Sequence, residues 1–167
     1  METYKIIKGF ETYSVSDLGN VKNNKTGRIM KTRFHTEGYI IVDIRVNNQR
    51  YTKGVHSLMA IAFITNPDGK LCVDHIDNYK SNNKINNLRW ATHGENQHNR
   101  SLNKNNTFGC KGICFNKASH KYEVRISIDG IPIYIGSFKN LEDAKQARIT
   151  RANQAFGVFT NACEKII

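Results

Sequence analysis

The sequence predicts an α+β chain assembled from small modules: an antiparallel sheet with a helix, a strand–loop–strand–helix unit, and a three-stranded sheet with one helix. Two observations lead there. Only 39% of the residues are hydrophobic, below the roughly 45–50% of an average globular domain, so several small cores suit the chain better than one large core. Short runs of strand-like alternation end in helical spacing or a helix cap, and polar, turn-rich breaks divide the 167 residues into blocks 1–65, 66–104 and 105–167.

In the first block, Thr12-Tyr13-Ser14-Val15-Ser16 leads into the turn Asp17-Leu18-Gly19-Asn20. Tyr39 to Val46 reads as a strand that Asn47-Asn48 turns back into Arg50-Tyr51-Thr52. Leu58, Met59, Ile61 and Ala62 then fall at helical spacing between Val55 and Phe63. Asn66-Pro67-Asp68-Gly69 is a turn and marks a boundary. Beyond it, Leu71-Cys72-Val73 and Leu88-Arg89-Trp90-Ala91 are short strands around the polar loop Asp77 to Asn87, with Trp90 as the apolar anchor. Thr92 and Glu95 match a capping box, which predicts a polar helix of about three turns. Ser101 to Phe108 is polar and reads as a linker. In the last block Tyr122 to Ile128 and Ile133 to Gly136 form a hairpin about Asp129-Gly130. A helix follows from an Asn140 cap through Leu141 to about Phe156, with Leu141, Ala144, Ala147, Ala152 and Ala155 toward the sheet and Gly157 as its stop.

Charge narrows the function classes. Twenty-five Lys and Arg stand against fourteen Asp and Glu, a formal net charge of +11 with a pI of about 9.6. The excess is spread along the chain, as an elongated polyanion such as DNA or RNA requires. No signal peptide or membrane-length apolar stretch is visible, so a soluble, intracellular protein is expected, in an infected host cell or wherever its target DNA lies. Cys72, Cys110, Cys114 and Cys163 are scattered and expected to be reduced. Cys110 and Cys114 have zinc-compatible spacing but no second pair follows, which favours buried small hydrophobes.

The second block carries the chemistry. Val73-Asp74-His75-Ile76-Asp77, Asn86-Asn87-Leu88-Arg89-Trp90 and Glu95-Asn96-Gln97-His98-Asn99 follow one another at hairpin-plus-helix spacing. Phosphodiester hydrolysis needs water deprotonated near neutral pH, a task histidine suits. It also needs negative charge stabilised on phosphate and leaving oxygen, which a divalent cation held by oxygen ligands can do. Asp74 offers a carboxylate, His75 an imidazole and Asn96 an amide oxygen that a hairpin packed on a helix brings toward Asp74. His98 and His93 read as solvated, and His56 as a packing or hydrogen-bonding residue.

These three stretches resemble the HNH nuclease motif, most closely that of phage-type HNH homing endonucleases. The resemblance implies a ββα-metal unit at 66–104 with His75 as general base, Asp74 and Asn96 as metal ligands, and Asn87 pinning the loop and orienting the base. Asn96 stands where other members have His, which suits one Mg²⁺ or Mn²⁺ rather than a soft metal. Tyr13 to Val21, Gly38-Tyr39 and Val55-His56-Ser57-Leu58 make residues 1–65 similar to an N-terminal DNA-contacting module often joined to such nucleases. Gly112-Ile113, Lys121-Tyr122, Val124-Arg125-Ile126, Ile135-Gly136-Ser137-Phe138 and Phe156-Gly157 make residues 105–167 similar to an Apetala-type DNA-binding domain, which lays its sheet in the major groove.

The implied activity is site-specific DNA nicking. The implied partner is double-stranded DNA, with no membrane and no obligate protein partner. Lys22, Lys31, Arg33, Arg45, Arg50, Lys80, Arg89, Lys117, Lys121 and Arg125 are the candidate DNA contacts. The competing readings are a non-catalytic DNA-binding regulator and a non-specific or RNA-processing HNH nuclease.

Overall fold

A computed structural model describes residues 1–165. The fold is mixed α and β, with small antiparallel sheets and few helices. The chain divides into two compact units, Met1–His93 and Gly94–Ile167. The block expected at 1–65 and the hairpin of the second block lie together in the first unit.

The first unit holds two three-stranded sheets where the sequence suggests one. Strands β1 (Tyr4–Ile7), β2 (Phe10–Ser16) and β3 (Val21–Asn23) form the first, and β4 (Thr32–Phe34), β5 (Ile40–Val46) and β6 (Gln49–Gly54) the second. Asn47 and Asn48 both adopt positive φ (50° and 63°), the geometry whose twist matches the two strands they join. Tyr13 ties the sheets together: its hydroxyl accepts from Arg45 N at 3.0 Å and donates to Arg45 O at 3.2 Å.

Helix α1 (Val55–Phe63) follows directly, then β7 (Cys72–His75) and β8 (Leu88–Ala91) as an antiparallel pair. One core joins these pieces. Ile7, Val15, Val42 and Ile44 from the sheets meet Val55, Leu58 and Met59 of α1 and Leu88 of the hairpin. Trp90 is half-buried, and its indole donates to Ile64 O at 3.0 Å, fastening the end of α1 to β8.

Helix α2 (His93–Asn99) starts at the last residue of the first unit. It has seven residues, two turns and not three. Its C-terminal half is tied down within the second unit: Lys111 Nζ donates to His98 O at 2.8 Å and Asn161 donates to Asn99 O. His98 stacks on Phe156 with centroids 3.7 Å apart, so it is packed and not solvated.

In the second unit β9 (Ile113–Asn116), β10 (Lys121–Ile128) and β11 (Ile131–Phe138) form a sheet in the order β11-β10-β9, covered by α3 (Leu141–Phe156). Asn140 caps α3 by accepting from Asp143 N at 2.8 Å. Ser101 to Phe108 is less free than a linker: Asn106 bonds Cys110 O, Phe108 N and Gly109 N, and Phe108 packs into the core beside Tyr122. The buried side of α3 includes Arg148 beside Ala144 and Ala152. Its guanidinium meets the fully buried Glu164 at 2.9 Å. All four cysteines are free; Cys110 is buried and Cys114 exposed. Among the described residues no helix is long and apolar enough to cross a membrane.

Candidate functional site

Two consecutive residues at the end of β7 carry the site. Antiparallel pairing sets Asp74 opposite Arg89 and His75 opposite Leu88. Residues directly opposite share a face, so Asp74 meets the Arg89 guanidinium: Nε lies 2.8 Å and Nη2 2.6 Å from Oδ2. Only 4% of Asp74 is exposed, a degree of burial a carboxylate tolerates when paired. Arg89, expected among the DNA contacts, is engaged inside the fold.

His75 is 5% exposed on the opposite face of the strand. Its Nε2 lies 3.0 Å from Asn83 Oδ1. An amide oxygen only accepts, so Nε2 is the donor in this contact.

Asn87, expected to pin the loop and orient the histidine, lies buried beneath the loop. It accepts from Asp77 N at 3.1 Å and donates to Asp77 Oδ1 at 2.9 Å and to Asn82 O at 2.8 Å. These bonds brace the loop that presents Asn83. Burial alone would raise the Asp77 carboxyl, but bonds from Asn82, the Tyr79 amide and Asn87 hold it below its ordinary value. Asn83 is the loop side chain 3.0 Å from the His75 ring, while the Asn78 amide donates to His75 O, and the sequence does not distinguish Asn83 from its Asn neighbours.

Two further rings pack beside His75, and Lys80 covers one of them. The His56 ring, from the start of α1, lies 5.0 Å from the His75 ring, and Tyr39 lies 5.1 Å from His56 and 6.0 Å from His75. Lys80 sits 4.7 Å over Tyr39. Burial first, and the neighbouring His75 second, push His56 down to about 4. Burial raises the Tyr39 hydroxyl. The signal for these rings lies in Gly38-Tyr39 and Val55-His56, pieces of the first block whose resemblance implies DNA contact.

Asn96 lies half-buried on α2. Among the described residues no cluster of three or more His, Cys, Asp or Glu gathers to hold a metal ion. Asp74 and Asn96 would offer oxygen donors, the ligand type a hard divalent cation takes.

The basic candidates fall into several settings. In the second sheet Arg33, Arg45 and Arg50 share the outer face with Asp43. Arg50 lies 2.5 Å and Arg33 3.3 Å from the Asp43 carboxylate. Arg50 first, then Thr52, and more weakly Arg33, hold that carboxyl well below its usual range. Lys22 lies 4.3 Å over the Tyr4 ring, while Lys31 and Lys80 are exposed. In the second unit Lys117 and Arg125 are exposed and Lys121 is half-buried; Arg125 pairs with Glu123 at 3.3 Å, and Tyr134 is its cross-strand neighbour.

Comparison with known proteins places these residues in context. A model of the NUMOD4 motif matches residues 2–45, and a model described as HNH endonuclease matches residues 53–98. The second span holds His56, Asp74, His75, Asn83, Asn87, Arg89 and Asn96. An uncharacterized HNH endonuclease of Acanthamoeba polyphaga mimivirus is 33% identical over 141 residues, 84% of this chain and 39% of that protein. DNA endonuclease I-HmuI of Bacillus phage SP01 is 39% identical over 90 residues, 53% of this chain and 52% of that protein. The chain thus spans at most about half the length of these two relatives. A solved structure described as DNA binding and cleavage by the HNH homing endonuclease I-HmuI has a TM-score of 0.53 at 30% identity, covering 86% of this chain and 82% of that one.

Proposed function

Because the chain belongs to the HNH endonuclease family, we propose that it is a metal-dependent DNA endonuclease of homing type. The observation that carries this reading is the setting of His75: a buried imidazole next to a buried carboxylate, with an amide oxygen at its Nε2. His75 is the general base, and Nδ1 takes the proton of the attacking water. Asp74 and Asn96 would hold the metal, an assignment that rests on the motif alone. Two oxygen donors fit a hard divalent ion, which takes oxygen ligands. A bound Mg²⁺ or Mn²⁺ would supply Lewis acidity at the phosphate and at the departing 3′ oxygen. Asn87 keeps the loop in place, and Asn83 turns the imidazole to present Nδ1.

The other residues hold double-stranded DNA. Lys22, Lys31, Arg33, Arg45 and Arg50 contact phosphates from the first module, residues 1–65, and Lys80 does so from the nuclease module, residues 66–104. Residues 105–167 act as an Apetala-type reader, with Lys117, Lys121 and Arg125 against the duplex. One His75 per chain makes the product a nick, and no second protein is required.

Supercoiled plasmid with and without Mg²⁺ tests the reading. Relaxation that depends on Mg²⁺ and disappears in His75→Ala, with DNA binding retained, is the expected outcome. Cleavage by His75→Ala at the original rate overturns the assignment of the base.

A further inference from the structure

We propose that His56 is a positioning residue for His75, its ring held as a wall that sets the tilt of the His75 imidazole. This rests on the reading of His75 as general base. The bond to Asn83 fixes one end of the imidazole, at Nε2. The tilt of the ring plane depends on what packs beside it, and His56 and Tyr39 lie there, with centroids 5.0 and 6.0 Å away and planes tilted by 54° and 42°. The three rings form a closed triangle, since Tyr39 and His56 are themselves 5.1 Å apart.

Gly54 shows how firmly the His56 ring is seated. A Cβ at residue 54 would lie 2.5 Å from Cε1 and 2.9 Å from Nδ1 of His56. The backbone there is ordinary, φ −68° and ψ 131°, so glycine is not needed for its conformation. Residue 54 is also the N-cap of α1, a position where Ser, Thr, Asp or Asn would accept a backbone N–H, and no side-chain cap is made. A glycine in place of a capping residue is explained by the ring that lies against it.

Among the described residues, His56 Nδ1 is buried without a hydrogen-bond partner. A histidine kept only for stability would be expected to use that atom or give way to an apolar residue. Its place 5.0 Å from the His75 ring gives it another purpose, orientation through contact.

The test is the cleavage rate of supercoiled plasmid at saturating full-length protein with Mg²⁺, alongside DNA affinity and thermal unfolding, for His56→Ala, Gly54→Ala, the double variant and His75→Ala. His56→Ala should slow cleavage about tenfold to a hundredfold, as misplaced catalytic groups do, with DNA affinity within about twofold. Gly54→Ala should also slow cleavage, because it displaces the ring, and should add nothing in the His56→Ala background, where the ring is gone. An unchanged rate in His56→Ala, a loss explained by weaker DNA binding, or independent losses that multiply in the double variant would each overturn the proposal.

If His56→Ala does not fold, Gly54→Ala leaves the core filled and carries the test alone; an unchanged rate in it overturns the proposal. His75→Ala separates the two readings. If it cleaves normally, the assignment of the base fails. If it is inactive while His56→Ala cleaves normally, only the positioning role fails.

Discussion

His56 resists protonation, and the resistance has a direction in pH. Its value of about 4 in the folded chain lies below the ordinary 6.5, through burial first and through His75 second. The groups around it are the His75 and Tyr39 rings, with Lys80 over Tyr39. Between pH 6.5 and 4 the unfolded chain takes up a proton that the folded chain refuses. Stability should therefore fall as pH drops through that window. Comparing His56→Ala with the parent subtracts the carboxylates that titrate nearby. The variant's unfolding temperature should fall less between pH 6.5 and 4, and identical slopes would sink the assignment. The sequence marks His56 only as a histidine among apolar neighbours at a helix start. Its meeting with residues 39 and 75 depends on the packing of three separate segments, which no local spacing encodes. Asn83 is hidden for another reason: the loop holds several asparagines, and only its folded path selects the one facing His75.

Elements built from local rules are the most legible. The strand Leu88–Ala91 and the helix Leu141–Phe156 have the bounds their periodicity and caps predict, and Asp129-Gly130 turns its hairpin with both φ values positive. The Asp74–His75 pair is legible as chemistry, whereas Arg89 opposite Asp74 follows only from strand register. Least legible is the inner side of α3, where alanines suggest an apolar seam and Arg148 lies buried between Ala144 and Ala152. Its partner Glu164 belongs to a later 3₁₀ turn, Ala162–Glu164, with Lys111 3.9 Å away. Burial raises the Glu164 carboxyl, against the pull of Arg148 and Lys111. Removing one partner of such a pair strands the other charge, so Arg148→Met should destabilise the second unit by about 3 kcal/mol. Replacing both, as Arg148→Met with Glu164→Leu, should recover most of that loss, because an apolar pair carries no desolvation penalty. Denaturant unfolding of both variants reads the difference, and a double variant no better than the single one would show that the charge pair is not the source.

At the scale of the whole molecule, if the chain binds duplex DNA as proposed, the formal charge of +11 overstates the charge that the duplex can recruit. Arg89 faces a buried carboxylate, and Arg33 and Arg50 converge on Asp43. Exposed pairs of that second kind are worth little and can exchange carboxylate for phosphate, whereas the Asp74 pair is almost enclosed. Salt dependence distinguishes the two classes, because each phosphate neutralised releases counterions and steepens the fall of affinity with salt. If roughly six to ten basic side chains engage phosphates, affinity for duplex DNA should drop about 10³-fold to 10⁵-fold between roughly 50 and 200 mM salt. Arg45, exposed on the outer face of the second sheet, should contribute to that slope, and Arg45→Ala should lower it by about one. Arg89→Ala should leave the slope unchanged at a temperature where the variant is folded, while lowering its unfolding temperature through the loss of Asp74's partner. Titrations of one duplex at several salt concentrations decide between them. A slope reduced by one in Arg89→Ala and unchanged in Arg45→Ala would reverse the division between structural and DNA-facing arginines.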